Sequence, residues 1–359
     1  MIIRLSGFFL AVALFVFLIF QTKFRRWKKA GLVFASFILI IFMALKVLFP
    51  LTPAPQPTGT YDILTEEAFY QYVTDNSEMA THGNKREVPV KVWFPKNSQP
   101  QTHPLFLFSP GSFGIAESNE TLFLELASRG YVVVSLNHPY HSFRSKMSDG
   151  RKIGADREFI KSAMSSQGSK DLLGNLVSLR TWSEVRVDDI NAVLNQVLDS
   201  QAGYNYEQYI DSERIVLSGH SLGGSAALAV GRERPEEFQA LVILEAPFAA
   251  DIEGIDGDRY VFTDELYPLP VLHIYSDSLY TKLEDITTYE MNVRLMRSDN
   301  PMYVNKHISG AGHIGLTDMI LVTPVLTNLI DGGLNTRHAP ETLLELNGYV
   351  IEFLNEYNK

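Results

Sequence analysis

Short apolar runs rich in β-branched residues alternate with helical stretches over most of the chain. The runs predict strands at residues 88–94, 105–108, 131–136, 214–217, 240–244, 271–275 and 302–308. Amphipathic or alanine-rich stretches predict helices at 182–198, from 226 onward and at 340–357. Strands and helices that alternate at these intervals favour a doubly wound α/β fold with a mostly parallel sheet.

The first 50 residues follow a different pattern, in which two long apolar segments enclose a short basic loop. Residues 5–20 are uncharged, and residues 31–49 carry Lys46 as their single charge. Nineteen residues of helix rise about 28 Å, which is close to the thickness of a bilayer's hydrocarbon core. We therefore predict a membrane anchor of two transmembrane helices over residues 1–50. The alternative is a cleaved signal peptide followed by one anchor.

The loop between the two segments predicts the topology. Residues 22–30, TKFRRWKKA, contain five basic side chains, and short loops rich in Lys and Arg remain in the cytoplasm. We therefore expect a multi-pass protein of the cell membrane, with everything after residue 49 outside the cytoplasm. The chain has no cysteine, which suits a bacterial surface better than a eukaryotic secretory route.

The rest of the chain divides into a linker and one large domain. Residues 51–60 form a Pro-rich linker, in which Pro53, Pro55 and Pro57 favour an extended, semi-rigid spacer. Residues 61–359 contain no repeat and no second Pro-rich break, which indicates a single domain. Within it, residues 141–175 form a long insertion that is either a cap over a pocket or a solvated loop.

Charge and composition exclude several kinds of protein. The 359 residues include 31 basic and 41 acidic side chains, and seven of the basic ones lie in the first 50 residues. The remainder is strongly acidic, so we expect no nucleic-acid partner. The absence of cysteine excludes disulfides, thiolate zinc sites, iron–sulfur clusters and cysteine nucleophiles. The sequence also has no H-E-x-x-H motif, and we expect neither a metal nor a cofactor.

A candidate nucleophile lies between a predicted strand and a predicted helix. The run SGHSLGGS places Gly219, His220, Ser221, Leu222 and Gly223 between RIVL and AALAV. This G-x-S-x-G pattern in a strand–turn–helix context is a nucleophile elbow. Glycines are needed there because side chains on both sides of a sharp turn would collide with the strand and the helix. We therefore predict that Ser221 is a catalytic nucleophile.

A serine nucleophile needs a base and an acid, which follow it along the chain when it sits on such an elbow. His313 lies in the glycine-flanked loop SGAGHIGL after the last predicted strand, where a catalytic base belongs. His273 and His307 lie in predicted strands and are read as structural. The acid is Glu245, just beyond the strand after the nucleophile helix, or alternatively Asp277, after the next strand. Either carboxylate could orient and stabilise the imidazolium.

An oxyanion hole requires two backbone donors. One is predicted to be the N–H of Leu222, which follows the nucleophile. The other is predicted to come from the loop 110–114 after the strand at 105–108, and we assign it to the N–H of Ser112.

Six segments of the chain resemble one branch of a known family. They are FSPGSFG, ELASRGYVVVSLNHPYHS, SLRTWSEVRVDDI, VLSGHSLGG, ILEAPF and SGAGHIGLTD. Their order is similar to that in the platelet-activating factor acetylhydrolase and dienelactone hydrolase-like branch of the α/β-hydrolases, over roughly residues 85–320. The resemblance implies the α/β-hydrolase fold and a metal-independent ester hydrolase.

The resemblance also bears on two site residues. The family carries its acid in an L-D-A sequence, which corresponds here to Leu244, Glu245 and Ala246. This supports Glu245, while the change from Asp leaves Asp277 as the alternative. Pro110 stands where the family usually has His before the oxyanion glycine.

Together these features predict a membrane-anchored serine hydrolase that cleaves carboxylic esters through an acyl-enzyme, with lipid or short-acyl phospholipid esters among its candidate substrates. Its expected partners are the ester substrate and the membrane. The alternatives are a peptidase, thioesterase or acyltransferase that uses the same triad, or a non-catalytic surface protein with a hydrolase fold.

Overall fold

The structure is a computed structural model that describes residues 2–96, 102–166, 170–199 and 202–358. The strands are β1 (Ile63–Val73), β2 (Lys85–Pro95), β3 (His103–Ser109), β4 (Val132–Leu136), β5 (Ser145–Lys146), β6 (Lys152–Ile153), β7 (Ile210–His220), β8 (Ala240–Leu244), β9 (Ile252–Asp256), β10 (Arg259–Phe262), β11 (Val271–Ser276) and β12 (Tyr303–Ile308). The α-helices are α1 (Ile2–Phe20), α2 (Arg26–Leu48), α3 (Glu120–Ser128), α4 (Arg157–Ser166), α5 (Leu172–Asp199), α6 (Leu222–Glu233), α7 (Glu290–Met296), α8 (Met319–Val322), α9 (Pro324–Ile330) and α10 (Ala339–Tyr357).

Eight of the strands form one sheet in the order β1-β2-β4-β3-β7-β8-β11-β12. The pairs β1–β2 and β2–β4 are antiparallel, and the five remaining pairs are parallel. This confirms the predicted doubly wound, mostly parallel sheet. Strand β1 was not predicted, because half-buried Glu66 and exposed Glu67 interrupt its apolar pattern at the edge of the sheet.

Helices cover both faces of the sheet. On one face, α5 and α6 pack apolar residues such as Ile190, Val193 and Ala227 against the strands. On the other face, α3 and α10 contribute Phe123 and Val350. The central strands are buried on both sides, which explains why they read in the sequence as continuous apolar runs.

The parallel strands bring several loops together at one edge. The loops after β3, β7, β8 and β12 all leave the carboxyl ends of their strands, where open α/β sheets bind their ligands. We call this the carboxyl edge, and the opposite side the amino edge.

The N-terminal helices α1 and α2 lie against each other, with the rings of Phe15 and Phe37 6.2 Å apart. Both helices are long and apolar enough to cross a membrane, and almost all of their surface is exposed. These criteria concern length and composition alone, and a signal sequence near an N-terminus also meets them.

In its described residues, the insertion at 141–175 contains two short strands, one short helix and the beginning of a longer helix. Strands β5 and β6 form a small antiparallel hairpin, and helix α4 follows it. Helix α5 begins at Leu172, ten residues before the predicted start at 182. The prediction began too late because Leu173 and Val177 are exposed, so the first turns do not follow an amphipathic pattern.

Candidate active site

Ser221 occupies a strained turn between β7 and α6. Its backbone angles are φ 52° and ψ −125°, in a region that favours glycine. A Cβ atom on Gly219 would lie 2.6 Å from the carbonyl oxygen of Gly223, and one on Gly223 would lie 2.1 Å from that of Ser109. The two glycines therefore permit the close approach that the turn needs. The N–H of Ser221 donates to the carbonyl of Leu244, at 2.9 Å, which ties the elbow to β8.

His313 and Glu245 form a hydrogen-bonded pair at the carboxyl edge. His313 Nδ1 lies 3.0 Å from Glu245 Oε1, and the carboxylate is fully buried. The second oxygen, Oε2, accepts the backbone N–H of Ser276. A proton on Nδ1 that is shared with the carboxylate leaves Nε2 free to act as a base. Burial lowers the pKa of His313, but the hydrogen bond and the charge of Glu245 outweigh burial and raise it above its ordinary value.

Glu245 reaches His313 because its backbone turns sharply after β8. Its φ is 47°, and its N–H donates to the carbonyl of Ile274 at 2.9 Å. The next residue, Ala246, is fixed from both sides by buried side chains: its N–H donates to His273 Nε2 at 3.2 Å and its carbonyl accepts from Asn292 at 3.0 Å. His273 is thus the buried structural histidine that the sequence indicated.

His220 connects the nucleophile turn to the histidine loop. Its Nε2–H donates to the backbone carbonyl of His313 at 3.2 Å, and the two rings lie 4.6 Å apart. Within the described residues, no hydrogen bond joins Ser221 Oγ to His313 Nε2. Such bonds often tighten only when substrate is bound.

The loop after β3 lies directly beside the nucleophile. A Cβ atom on Gly111 would lie 3.1 Å from the Cβ of Ser221, so the absence of a side chain lets the loop approach. The N–H of Phe113 donates to the carbonyl of His141 at 2.9 Å. In the described part of the chain, the N–H groups of Ser112 and Leu222 donate to no protein acceptor. These are the two donors expected to form the oxyanion hole.

A buried arginine holds the carbonyl groups of this loop from behind. Arg186 donates to the carbonyl oxygens of Pro110 at 2.8 Å and Gly111 at 3.2 Å. Its side chain is completely buried, and burial lowers the pKa of its guanidinium to about 9. The two bonds turn the loop's carbonyls inward, toward α5.

A second buried chain of hydrogen bonds starts at Ser109, the last residue of β3. Ser109 Oγ lies 2.9 Å from His138 Nε2, and His138 Nδ1 lies 2.9 Å from Asp189. Asp189 also forms a bidentate ion pair with Arg86, at 2.7 and 2.8 Å. Burial lowers the pKa of His138 to about 4, so its ring is neutral, with Nδ1–H donating to Asp189 and Nε2 accepting from Ser109. All four side chains are sealed from solvent, so this Ser–His–Asp chain has a structural role.

The alternative acid, Asp277, lies in a different environment. It follows β11, and His307 lies on the neighbouring strand β12, where the register pairs Tyr275 with His307. The carboxylate of Asp277 is therefore 2.7 Å from His307 Nε2 and also accepts the N–H of Gly310 at 2.7 Å. The structure thus pairs Asp277 with His307 and not with His313, because the side chain leaves β11 on the side of β12.

Arg86, Asp189 and Arg186 were missed in the sequence. A signal for the last two was present, because Arg186 and Asp189 fall on the apolar face of a predicted amphipathic helix. Charged residues at such positions are rarely buried without a partner. His138, which lies in the loop after β4, is fully buried and hydrogen-bonded to Ser109 at the end of β3.

Three comparisons with known proteins bear on this geometry. The prolyl oligopeptidase family matches residues 176–306, which include the elbow and Glu245 but end before His313. A probable 1-alkyl-2-acetylglycerophosphocholine esterase from Arthroderma benhamiae is 29% identical over 142 residues, which are 39% of this chain and 31% of that protein. The chain thus spans about a third of the length of this curated relative.

The third comparison concerns the fold. A ferulic acid esterase from Streptomyces cinnamoneus superposes with a TM-score of 0.63 at 20% identity, over 86% of this chain and 93% of that one. Together with the strand order and the elbow at Ser221, this likeness confirms the fold that the sequence resemblance implied. The chain has the α/β-hydrolase fold.

Proposed function

We propose that this protein is a membrane-anchored serine hydrolase that cleaves carboxylic esters through an acyl-enzyme. The observation that carries the proposal is the hydrogen bond between His313 and buried Glu245 next to the Ser221 elbow. A carboxylate that is both buried and bonded to a histidine raises that ring's basicity, which a serine nucleophile requires.

In the proposed mechanism, Ser221 Oγ attacks the ester carbonyl while His313 Nε2 takes the hydroxyl proton. Glu245 stabilises the imidazolium that forms. The N–H groups of Ser112 and Leu222 donate to the tetrahedral oxyanion. His313 then gives its proton to the leaving alkoxide, and the alcohol departs. A water molecule repeats the sequence on the acyl-enzyme, releases the carboxylic acid and restores Ser221.

Two of the three comparisons favour an ester over other acyl substrates. The curated relative is described as an esterase of a 1-alkyl-2-acetylglycerophosphocholine, and the structural neighbour is a ferulic acid esterase. The name of the curated relative, a probable esterase, specifies a lipid with a short acyl group. We extend this class, lipid and short-acyl phospholipid esters, to the present chain.

We further propose that α1 and α2 cross the membrane, with the basic loop between them in the cytoplasm and the hydrolase domain outside. The chain has no cysteine, so single cysteines report on topology without background. A membrane-impermeant maleimide applied to intact cells should label Asn355→Cys, at the exposed end of α10, and should label Lys28→Cys only after lysis. The reverse labelling pattern would overturn the topology.

The activity is tested with the full chain in detergent micelles and a series of p-nitrophenyl esters from acetyl to long acyl chains. Ser221→Ala should abolish turnover and labelling by a fluorophosphonate probe. Ser212→Ala is the matched control, because Ser212 is exposed at the other end of β7, and it should retain both. Equal turnover by Ser221→Ala would refute the serine mechanism, and folded protein that neither turns over nor labels would favour a non-catalytic role.

The match to the prolyl oligopeptidase family supports a second candidate, a peptidase that uses the same three residues. An amide and an ester with the same acyl group distinguish the two, since a peptidase hydrolyses both and an esterase leaves the amide intact. Thioester substrates and added acyl acceptors extend the same assay to thioesterase and acyltransferase activity.

A further inference from the structure

The linker between the N-terminal helices and the hydrolase domain is bound to the domain surface. The N–H of Thr52 donates to the carbonyl of Leu321 in α8 at 3.2 Å. Further along, Thr58 donates to the carboxylate of Glu125 from its N–H at 2.8 Å and its hydroxyl at 2.6 Å, and Gly59 N–H donates to Ser128 Oγ at 3.0 Å. These bonds fix the direction in which α2 leaves the domain.

The path of the linker indicates which edge of the sheet lies near α2. Ser128 ends α3 and lies just before β4, at the amino edge. Leu321 belongs to α8, which is joined to the start of α3 by the bond from Thr121 N–H to Asp318 at 2.7 Å. The start of α3 follows β3 and lies at the carboxyl edge. The linker therefore runs alongside α3, and α2 joins the domain at the edge that holds the candidate site.

A surface of exposed apolar side chains surrounds this junction. We call it the foot surface, and it comprises Leu51, Met319, Val322, Leu329 and Ile330. Leu51, Leu329 and Ile330 are 74%, 75% and 66% exposed. Residues 319–330 contain no charged side chain, although the chain beyond residue 50 carries 24 basic and 41 acidic ones. The helices α8 and α9, which carry four of these five side chains, pack against each other. Large apolar side chains exposed together on a water-exposed domain mark an interaction site.

The foot surface is joined to the loop that carries His313. Asp331 directly follows α9, and its carboxylate accepts the N–H groups of Ile314 and Gly315, each at 3.0 Å. Asn335 accepts the N–H of Gly312 at 2.8 Å. The segment after the foot surface thus holds the backbone on both sides of His313, so whatever binds the foot surface lies next to the candidate site.

We propose that the foot surface lies in the interface of the bilayer that α1 and α2 cross, so that the candidate site takes its ester from that bilayer. This inference rests on the membrane anchoring proposed above. The occupant is lipid because α2 contacts α9 and ends at Leu48, just before Leu51, so an apolar surface at the end of a membrane helix meets the same bilayer. Exposed Leu and Ile side chains at that depth are buried by lipid.

The insertion at 141–175 supports a bilayer over a protein partner. It follows β4 at the carboxyl edge, and Phe143, which is 77% exposed, donates its N–H to the carbonyl of Phe113 in the loop beside Ser221. The insertion carries seven basic and four acidic side chains in an otherwise acidic domain. Basic residues interspersed with exposed apolar ones match a bilayer with anionic headgroups.

The proposal defines the substrate as an amphiphilic ester of that bilayer, with its acyl chain among the lipid tails and its carbonyl near the headgroups. Such an ester reaches Ser221 without leaving the membrane completely. A water-soluble ester reaches Ser221 without the bilayer. Changes to the foot surface should therefore lower the turnover of a membrane-embedded ester and leave that of a soluble ester unchanged.

The first experiment measures depth in the bilayer, using spin labels on single cysteines of the full chain in vesicles of phosphatidylcholine and phosphatidylglycerol. Leu329→Cys and Ile330→Cys report on the foot surface. Phe37→Cys, exposed on α2, reports on the anchor. Leu266→Cys, exposed in the loop before β11 at the amino edge, is the control for the domain. For each spin label, the collision rates with oxygen, which concentrates in lipid, and with a water-soluble nickel complex are compared. Their ratio shows whether the label lies in lipid or in water.

We expect labels on Phe37→Cys in the lipid core, labels on both foot-surface cysteines at the lipid interface and the label on Leu266→Cys in water. A label on Phe37→Cys in lipid together with foot-surface labels in water would overturn this inference and leave the anchor intact. A label on Phe37→Cys in water would overturn the anchor and the inference with it. Spin–spin coupling between foot-surface labels on two chains, without contact to lipid, would identify a second copy as the occupant and refute the proposal.

The second experiment compares turnover of a long-chain ester embedded in the vesicles with turnover of p-nitrophenyl acetate. The double variant Leu329→Glu with Ile330→Glu should lower the ratio of the two rates by about tenfold or more, since it removes apolar side chains from lipid. Leu266→Glu should leave the ratio unchanged. An unchanged ratio in the double variant would refute the link between the foot surface and substrate supply.

Discussion

Arg186 lies beneath the loop that is expected to form half of the oxyanion hole, and its replacement tests how that loop is held. Its guanidinium donates to the carbonyls of Pro110 and Gly111 and is fully buried. The substitution Arg186→Met keeps most of the apolar stem and removes both donors. The two carbonyls then lose their partners, and the peptide plane that presents the N–H of Ser112 is free to rotate away from Ser221.

The magnitude follows from the two bonds. A hydrogen bond from a charged donor contributes about 1.5–3 kcal/mol, so the pair favours the observed loop conformation by about 3 kcal/mol or more. Loss of one oxyanion donor in comparable enzymes lowers kcat by about 10²–10³. We therefore expect Arg186→Met to lower kcat on a soluble ester by about 100-fold, with little change in KM, because the donor acts mainly in the transition state.

The assay is steady-state hydrolysis of p-nitrophenyl acetate, with thermal unfolding recorded for each variant. Arg186→Lys keeps a charge and one donor and should recover part of kcat. Arg180→Met is the matched control: Arg180 lies on the same helix, is exposed and donates to Ile252, away from Ser221. A folded Arg186→Met variant with wild-type kcat would refute the positioning role. If kcat falls across the variants only in proportion to the unfolding temperature, Arg186 stabilises the fold and does not position the loop.

Three further predictions concern the acid, the base and the elbow. Glu245→Gln should lower kcat by about a thousandfold or more, because a neutral amide does not stabilise the imidazolium. Asp277→Asn should change kcat little. Equal losses of kcat in the two variants, measured by steady-state kinetics, would contradict the assignment of Glu245 as the acid. The pH profile of kcat/KM should fall on the acid side with a midpoint above the ordinary histidine pKa of 6.5, since Glu245 raises the pKa of His313, and a lower midpoint would argue against the pair. The same shift means that the pair's contribution to the free energy of unfolding is full below about pH 6.5 and is lost as the pH rises through the folded-state pKa, which urea unfolding at several pH values measures. Gly223→Ala should destabilise the fold by about 3 kcal/mol, since its Cβ would lie 2.1 Å from a backbone oxygen. Gly348→Ala, in open space on α10, should stabilise the fold by up to about 1 kcal/mol. Similar thermal unfolding of the two variants would count against the packing argument.

The sequence predicted those parts of the fold in which local pattern and burial agree. Strands β8 and β11 were placed within one residue, because both faces of each strand are buried and the apolar run ends where the strand ends. The elbow was predictable for a related reason, since the steric demand of its turn requires glycine at fixed distances from Ser221. The choice of Glu245 over Asp277 needed the backbone turn at Glu245, which strand patterns do not encode.

The buried network behind the loop could not be predicted in this way. Arg86 and Asp189 are 103 residues apart in the chain, and His138 lies between them in the loop after β4. Asp189 stands out on the apolar face of its predicted helix, but nothing in the sequence identifies Arg86 and His138 as its partners. Only the fold brings together the groups that stabilise one another in this buried network. Long-range polar contacts of this kind are invisible to periodicity, although they decide where Ser109 and the loop after it lie.

The late predicted start of α5 and the missed foot surface have a common cause. Periodicity predicts structure on the assumption that apolar residues face a core. The first turns of α5 were therefore not predicted, because Leu173 and Val177 face outward. For the same reason, no role was predicted for exposed Leu329 and Ile330. Local rules of sequence fail most often where a residue serves a purpose other than folding. Outward-facing apolar side chains on the foot surface adjoin the candidate site. A domain that binds a lipid surface needs apolar side chains that face outward, which a pattern based on a buried core does not predict. The depth measurements at Leu329 and Ile330 test that explanation directly.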